Sequence, residues 1–160
     1  MKDIVIGCDD AAVELKNICI SYMQNVGINV EDMGVFGPED DTLYPLVAEK
    51  VCRRIIDSGY TKEGVLICGT GIGMSMTANK FPGIFAAVCH DNFSAERARL
   101  SNDSNVLCFG ARVIGPELAK KILGEWLNTS YVKGTRSEPK VDAIHAIDKE
   151  NVSLGKGGKI

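Results

Sequence analysis

Five short stretches of the chain are almost continuously apolar, and amphipathic stretches lie between them. The apolar stretches are Asp3–Cys8, Ile28–Asp32, Gly64–Cys68, Ile84–Cys89 and Asn105–Phe109. Each is of strand length, and most lack the alternation of a half-exposed strand, which predicts strands buried on both faces. The segments Ala11–Val26, Pro45–Ser58, Ile72–Lys80, Ser94–Ser101 and Pro116–Asn128 carry apolar residues at helical spacing, and a last helix is expected over Pro139–Glu150. Regular alternation of strand and helix predicts an α/β fold: a doubly wound, open parallel five-stranded sheet with helices on both faces. Ligands of such sheets bind at the C-terminal edge of the strands. The segments expected there are Cys8-Asp9-Asp10, Cys68 to Gly73, Cys89-His90-Asp91 and Gly110-Ala111-Arg112.

Composition narrows the class. At 160 residues, with 45% apolar and 24% charged residues, the chain is long enough for one well-cored domain, expected over residues 1–150. Residues 151–160 hold three glycines, two lysines and few core-forming side chains, and are expected to form a flexible C-terminal tail. A net charge of −3 gives no basic surface for nucleic acid. No apolar run reaches membrane length, and Met1-Lys2-Asp3 leads straight into a strand rather than a signal peptide, so a cytoplasmic location is expected. The six cysteines lie singly in apolar segments, with no CxxC spacing. Four of them fall near strand ends, but neighbouring strands are about 4.8 Å apart, so the row would span about 14 Å. One tetrahedral metal needs its sulfurs within about 2.3 Å of a common centre. No metal site is expected.

The densest chemistry lies in residues 64–83, GVLICGTGIGMSMTANKFPG. A buried strand ends on Cys68, glycines follow at 69, 71 and 73, and a helix begins. Such a turn aims free backbone N–H groups outward, and a helix start adds partial positive charge. That environment favours the thiolate of a cysteine, so the segment offers a base or nucleophile beside a cradle for negative charge. A purely structural reading, a small core cysteine beside a shaped turn, competes with it. A dinucleotide fingerprint fits less well: the third glycine comes one residue early, with Met74 in its place, and the turn follows the third strand rather than the first.

Other candidates are more ambiguous. Arg112, Arg136 and Lys140 suit phosphate, or serve as solvated surface cations. His90-Asp91 is the only histidine–carboxylate neighbour pair, which makes His90 a catalytic candidate; His145 sits in the apolar stripe of the last helix and reads as a packing or interface residue. Asn102, with Asp103 and Asn105, suits either sugar oxygens or a helix-ending turn. Asp9 and Asp10 suit sugar hydroxyls or the cap of the next helix.

In order along the chain, GCDD, Tyr44-Pro45, ICGTGIG with ANKFPGI, SAERARLSND and FGARVIGPELAK resemble the type B ribose-5-phosphate isomerase and galactose-6-phosphate isomerase family. The resemblance runs from about residue 3 to residue 150. It implies a Rossmann-like domain that works as a homodimer or homotetramer, with active sites between subunits. It also implies aldose–ketose isomerisation of a small-molecule sugar phosphate with no metal or other cofactor. Carried onto this sequence, it makes Cys68 the catalytic base and Thr70 an aid to proton transfer. The backbone from Gly69 through Gly71, Ile72, Gly73 and Met74 to Ser75 becomes the cradle for the enediolate oxygen. Asn102 matches a ligand of substrate oxygen, Asp9, Asp10 and Tyr44 match pocket positions, and Arg112, Arg136 and Lys140 match phosphate-binding cations.

Two departures bear on the substrate. Asp10 and Ser101 stand where many members of the family carry histidine, and the second of those histidines is the usual ring-opening acid. The combination of Ser94–Asn102 with Gly134–Ser137 is similar to a branch that isomerises tetrose phosphates. A four-carbon aldose 4-phosphate cannot close a five-membered ring through its phosphorylated oxygen, so it needs no ring opener. Ribose 5-phosphate/ribulose 5-phosphate is the first expectation, a tetrose 4-phosphate (erythrose/erythrulose) the alternative and galactose 6-phosphate the third. A non-catalytic sugar-phosphate or nucleotide sensor is the expectation outside enzymes.

Overall fold

The structure, a computed structural model, describes residues 2–155. It contains five strands, β1 (Ile4–Cys8), β2 (Val30–Asp32), β3 (Glu63–Cys68), β4 (Ala86–Val88) and β5 (Val106–Gly110). The helices are α1 (Val13–Asn25), α2 (Tyr44–Asp57), α3 (Ile72–Ala78), α4 (Asn92–Leu100), α5 (Pro116–Asn128) and α6 (Glu138–Gly155), and a 3-10 turn at Asp10–Ala12 precedes α1. All strand pairs are parallel, in the order β2-β1-β3-β5-β4. Helices α2 and α3 cover one face; α1, α4 and α5 cover the other.

The three central strands are buried along their whole length, which is why they read as unbroken apolar runs. The outer strands β2 and β4 are half-buried and three residues long, shorter than the apolar pattern suggests. A short edge strand exposes few unpaired backbone groups to a second sheet. Helical faces follow the period of 3.6: α2 buries Val47, Ala48, Val51, Cys52 and Ile55, and α5 buries Ala119, Ile122, Leu123, Trp126 and Leu127. Helix α4 begins two residues earlier than expected because Asp91 caps it, accepting from the Ser94 N–H at 2.7 Å. At the other end of the chain, α6 runs five residues past its expected stop, to Gly155; the rest of the expected tail lies outside the described residues.

Helix α6 leans on the entry to β4. The ring of His145 stacks on Phe85 at 4.7 Å, and Asp148 accepts the Gly83 N–H at 2.9 Å. The packing role expected of His145 is the one it has.

The path of the chain creates one crevice. From β1 it moves outward to β2, then returns to the other side of β1 as β3. The C-terminal ends of β1 and β3 therefore diverge into connections of opposite direction, the place where open α/β sheets bind ligands.

Candidate active site

Cys8 and Cys68 end the two strands flanking that crevice, and the residues after them line a cleft of about 460 Å³. Asp9, Asp10 and Ala11 form one wall; Cys68, Gly69 and Thr70 form the floor; Ile72, Gly73 and Met76 of α3 form the opposite wall. Tyr44, the first residue of α2, and Arg112, just past β5, close the ends.

The cysteine is held by its own turn. Cys68 is 5% exposed, and its Sγ accepts the Gly71 N–H at 3.0 Å. Gly71 has φ +77°, and a Cβ there would lie 2.8 Å from the Phe109 backbone, so only glycine closes this turn without displacing β5. The Ile72 N–H reaches Thr70 Oγ1 at 3.3 Å. The first backbone bond of α3 runs from the Ser75 N–H to the Gly71 carbonyl, 3.1 Å, which leaves the N–H groups of Gly73 and Met74 outside the helix's own ladder. Unpaired N–H groups at a helix start are donors that an anion can use. Tyr44 lies directly on Gly73, where a Cβ would come within 2.6 Å of its ring.

Asp9 is the second reactive feature. Its Oδ1 is buried without a hydrogen-bond partner. Burial, and then the charge of Asp10, push its carboxyl above the usual aspartate range; the N–H groups of Gly69 and Ala11 and the Arg112 guanidinium pull the other way. The capping role open to Asp9 in the sequence is not made by its side chain. Asp9 itself lines the cleft, while this oxygen is buried beneath its surface. Arg112 lies along Gly69, with its Cδ 3.4 Å from where a Cβ of that glycine would sit.

The other thiols belong to the core. Burial pushes Cys8, Cys19 and Cys52 up to about 12 and Cys89 up to about 11, and it holds Cys108 well above the ordinary thiol value. None of these five lines the cleft.

Several residues expected at the site lie elsewhere. Met74 is fully buried in the core and does not line the cleft. The Ser75 N–H is spent on the helix and its hydroxyl on the Ala86 carbonyl at 3.3 Å. His90 reaches the C-terminal edge as expected, but its Nε2 accepts the Gly110 N–H at 3.0 Å and it does not line the cleft. It secures a backbone donor that would otherwise be unpaired. Asn102 is exposed in the turn between α4 and β5, at the N-terminal edge of the sheet. Arg136 and Lys140 are exposed around the start of α6. That region also lies at the N-terminal edge, since Tyr131 there feels the carboxylates of Glu138, Asp142 and Asp103. The three expected phosphate ligands are therefore divided, Arg112 at one edge and Arg136 and Lys140 at the other. Met76, which lines the cleft, was not singled out from the sequence; its place one turn after Ile72 in α3 is the signal that marks it.

A cysteine over free N–H donors, with a carboxylate and a guanidinium at the rim, defines a proton-transfer site for a small oxygen-rich anion. Residues 4–144 match the family described as Ribose/Galactose Isomerase, and the chain belongs to that family. It is 49% identical over 144 residues to the D-erythrulose-4-phosphate isomerase of Pectobacterium atrosepticum, covering 90% of this chain and 93% of that one. It is 48% identical over 148 residues to the ribose-5-P isomerase B of Listeria innocua, covering 92% and 98%. Among solved structures, the ribose-5-phosphate isomerase B of Clostridium thermocellum superposes with a TM-score of 0.86 at 37% identity, covering 93% of this chain and 99% of that one. The class of reaction is aldose–ketose isomerisation.

Proposed function

We propose that this chain interconverts ribose 5-phosphate and ribulose 5-phosphate through an enediolate, with Cys68 as the base. The open-chain aldose lies in the cleft with its carbonyl oxygen toward the N–H groups of Gly73 and Met74. The Cys68 thiolate takes the proton from C2, and the C–H electron pair forms the C1–C2 double bond as the carbonyl pair moves onto oxygen. Cys68 then returns its proton to C1 as the C2–O bond becomes the carbonyl, and the proton of the C2 hydroxyl passes through the Thr70 hydroxyl to O1. One base serves both carbons because they are adjacent. Asp9, in the wall of the cleft, offers its carboxylate to a sugar hydroxyl. The phosphate is not transformed and serves to bind and orient. The observation that carries this reading is the Sγ of Cys68 on the cleft floor, fixed by the Gly71 N–H at 3.0 Å. Cys68→Ala should lower turnover by a factor on the order of 10²–10⁴, with solvent-deuterium exchange into substrate falling in parallel. Near-normal exchange in that variant removes Cys68 from the role.

The site is completed by a second copy of the chain. Arg112 and Asn102 lie beyond opposite ends of β5, separated by roughly 15 Å from strand rise alone, too far for one sugar phosphate to touch both. In a homodimer or homotetramer, Asn102, Arg136 and Lys140 of one subunit reach the cleft of another and join Arg112 at the phosphate. A cytoplasmic location suits such a substrate.

A tetrose 4-phosphate is the second reading, and the histidines favour it. Ser101 stands at the ring-opener's position, where its hydroxyl accepts from Arg97 at 3.4 Å. Both histidines of the chain are otherwise engaged, His90 with the Gly110 N–H and His145 with the Phe85 ring. A substrate that is already linear asks nothing of them.

A further inference from the structure

We infer that Arg99 is a positioning residue for substrate binding, holding the Asn102 turn and the segment leading to Arg136 in fixed relation to β3. The inference rests on the proposed assignment of Asn102 and Arg136 to the substrate. Arg99 is 8% exposed, and its carboxylate partner Glu63 is 6% exposed. Burying such a pair costs several kcal/mol of desolvation, which is offset only where the remaining donors and acceptors are satisfied.

The guanidinium makes three bonds in three directions. Its Nε donates to the Thr129 carbonyl at 2.9 Å; its Nη1 donates to the Ser104 carbonyl at 2.6 Å and to Glu63 Oε1 at 3.0 Å. Its flat face lies 4.4 Å over the Trp126 ring. Each partner belongs to a different part of the proposed substrate apparatus. Ser104 is two residues from Asn102. Thr129 opens the segment from α5 to α6 that contains Arg136. Glu63 begins β3, the strand that ends at Cys68.

The turn needs such a hold. Asp103 sits in the left-handed region at φ +52°, which aspartate enters more readily than most non-glycine residues but which still has to be held by the turn around it. The Asp103 N–H bonds the Arg99 carbonyl at 3.2 Å, and the Ser104 N–H bonds the Ala98 carbonyl at 2.9 Å, so the backbone closes the turn from one side. The Arg99 side chain closes it from the other. A lysine ammonium is a single point and cannot reproduce the planar fork.

Arg99→Lys is the test, with kinetics read well below its melting temperature. Asn102 and Arg136 would touch parts of the substrate that do not react, so their displacement is expected to raise KM more than it lowers kcat. The expected fall in kcat/KM is on the order of 10- to 100-fold. An unchanged KM with only a lower melting temperature overturns the inference. If Arg99→Lys does not fold, Glu63→Gln keeps an acceptor oxygen for Nη1 but removes its charge; a smaller rise in KM supports the inference and an unchanged KM overturns it. Asn102→Ala and Arg136→Ala are measured alongside. If neither raises KM, the substrate assignment itself fails; if both do and the Arg99 and Glu63 variants do not, only the positioning role fails.

Discussion

Gly71→Ala tests how tightly the turn that holds Cys68 is built. Alanine at φ +77° pays about 1–2 kcal/mol for the left-handed conformation. Its Cβ would also lie 2.8 Å from the backbone of Phe109, which belongs to a fully buried strand and cannot swing aside as a side-chain tip can. Forced packing of that kind adds about 1–3 kcal/mol. The total of about 2–5 kcal/mol corresponds, for a chain of this size, to a melting temperature lower by about 4–20 °C. The least costly relief moves the turn away from β5, and the turn carries the N–H that holds Cys68 Sγ and the start of α3. Displacement by about 1 Å at a reacting group costs on the order of 10²-fold in rate. Thermal unfolding followed by circular dichroism and initial rates measured on folded protein check the two effects separately. A Gly71→Ala enzyme with the parent's melting temperature refutes the steric argument. One with a lowered melting temperature and the parent's kcat shows that the Gly71 N–H does not place the thiolate.

Arg136 is exposed and a surface change is worth about 0.5 kcal/mol or less, so Arg136→Ala should leave the melting temperature nearly unchanged while weakening a phosphorylated inhibitor by on the order of 10- to 100-fold. Mixing it with Cys68→Ala under conditions of subunit exchange should restore activity, because one intact site forms in a mixed pair; no recovery would count against a shared site. Asp9 has a native pKa raised above 3.8, so its contribution to stability is present below that pH and is lost as pH rises through the native value. Asp9→Asn should therefore melt higher than the parent at pH 7, with the gain shrinking toward pH 3.8, while activity falls; equal melting at both pH values would contradict the burial argument. Ser101→His should raise kcat/KM for ribose 5-phosphate and leave a tetrose 4-phosphate little changed if the parent enzyme lacks a ring opener; efficient use of ribose 5-phosphate by the parent, with no gain from histidine, rules out the tetrose reading.

The central strands, the helix order and the glycine turn are local features, and the sequence displays them plainly: burial on both faces writes an unbroken apolar run, and a tight turn writes glycine. The edge strands were overestimated because apolar content signals burial but not pairing, and β2 and β4 each have one neighbour. His90 shows a different limit. Its position at the strand edge is legible, but the Gly110 N–H that claims its Nε2 is twenty residues away and depends on β4 lying outside β5. The division of the expected phosphate ligands is partly readable: a residue that follows a strand lies at one edge of a parallel sheet and one that follows a helix lies at the other. Arg112 follows β5, whereas Asn102 follows α4 and Arg136 follows α5. What spacing alone does not give is how two edges so far apart would meet at one substrate, which the proposed second chain answers.

The distribution of sulfur gives the molecule an unusual selectivity toward thiol chemistry. Six cysteines in a chain of 160 residues would ordinarily mean scattered labelling. Here five are held in the core, with Cys8, Cys19, Cys52, Cys89 and Cys108 all resistant to ionisation, and Cys68 alone among them opens onto the cleft. A small alkylating reagent added to folded protein therefore meets one nucleophile per chain, and the label it leaves occupies the floor of the site. On the proposed assignment a bound sugar phosphate shields that sulfur, and unfolding releases the other five to the same reagent, so labelling stoichiometry would report occupancy of the site and integrity of the fold in one measurement.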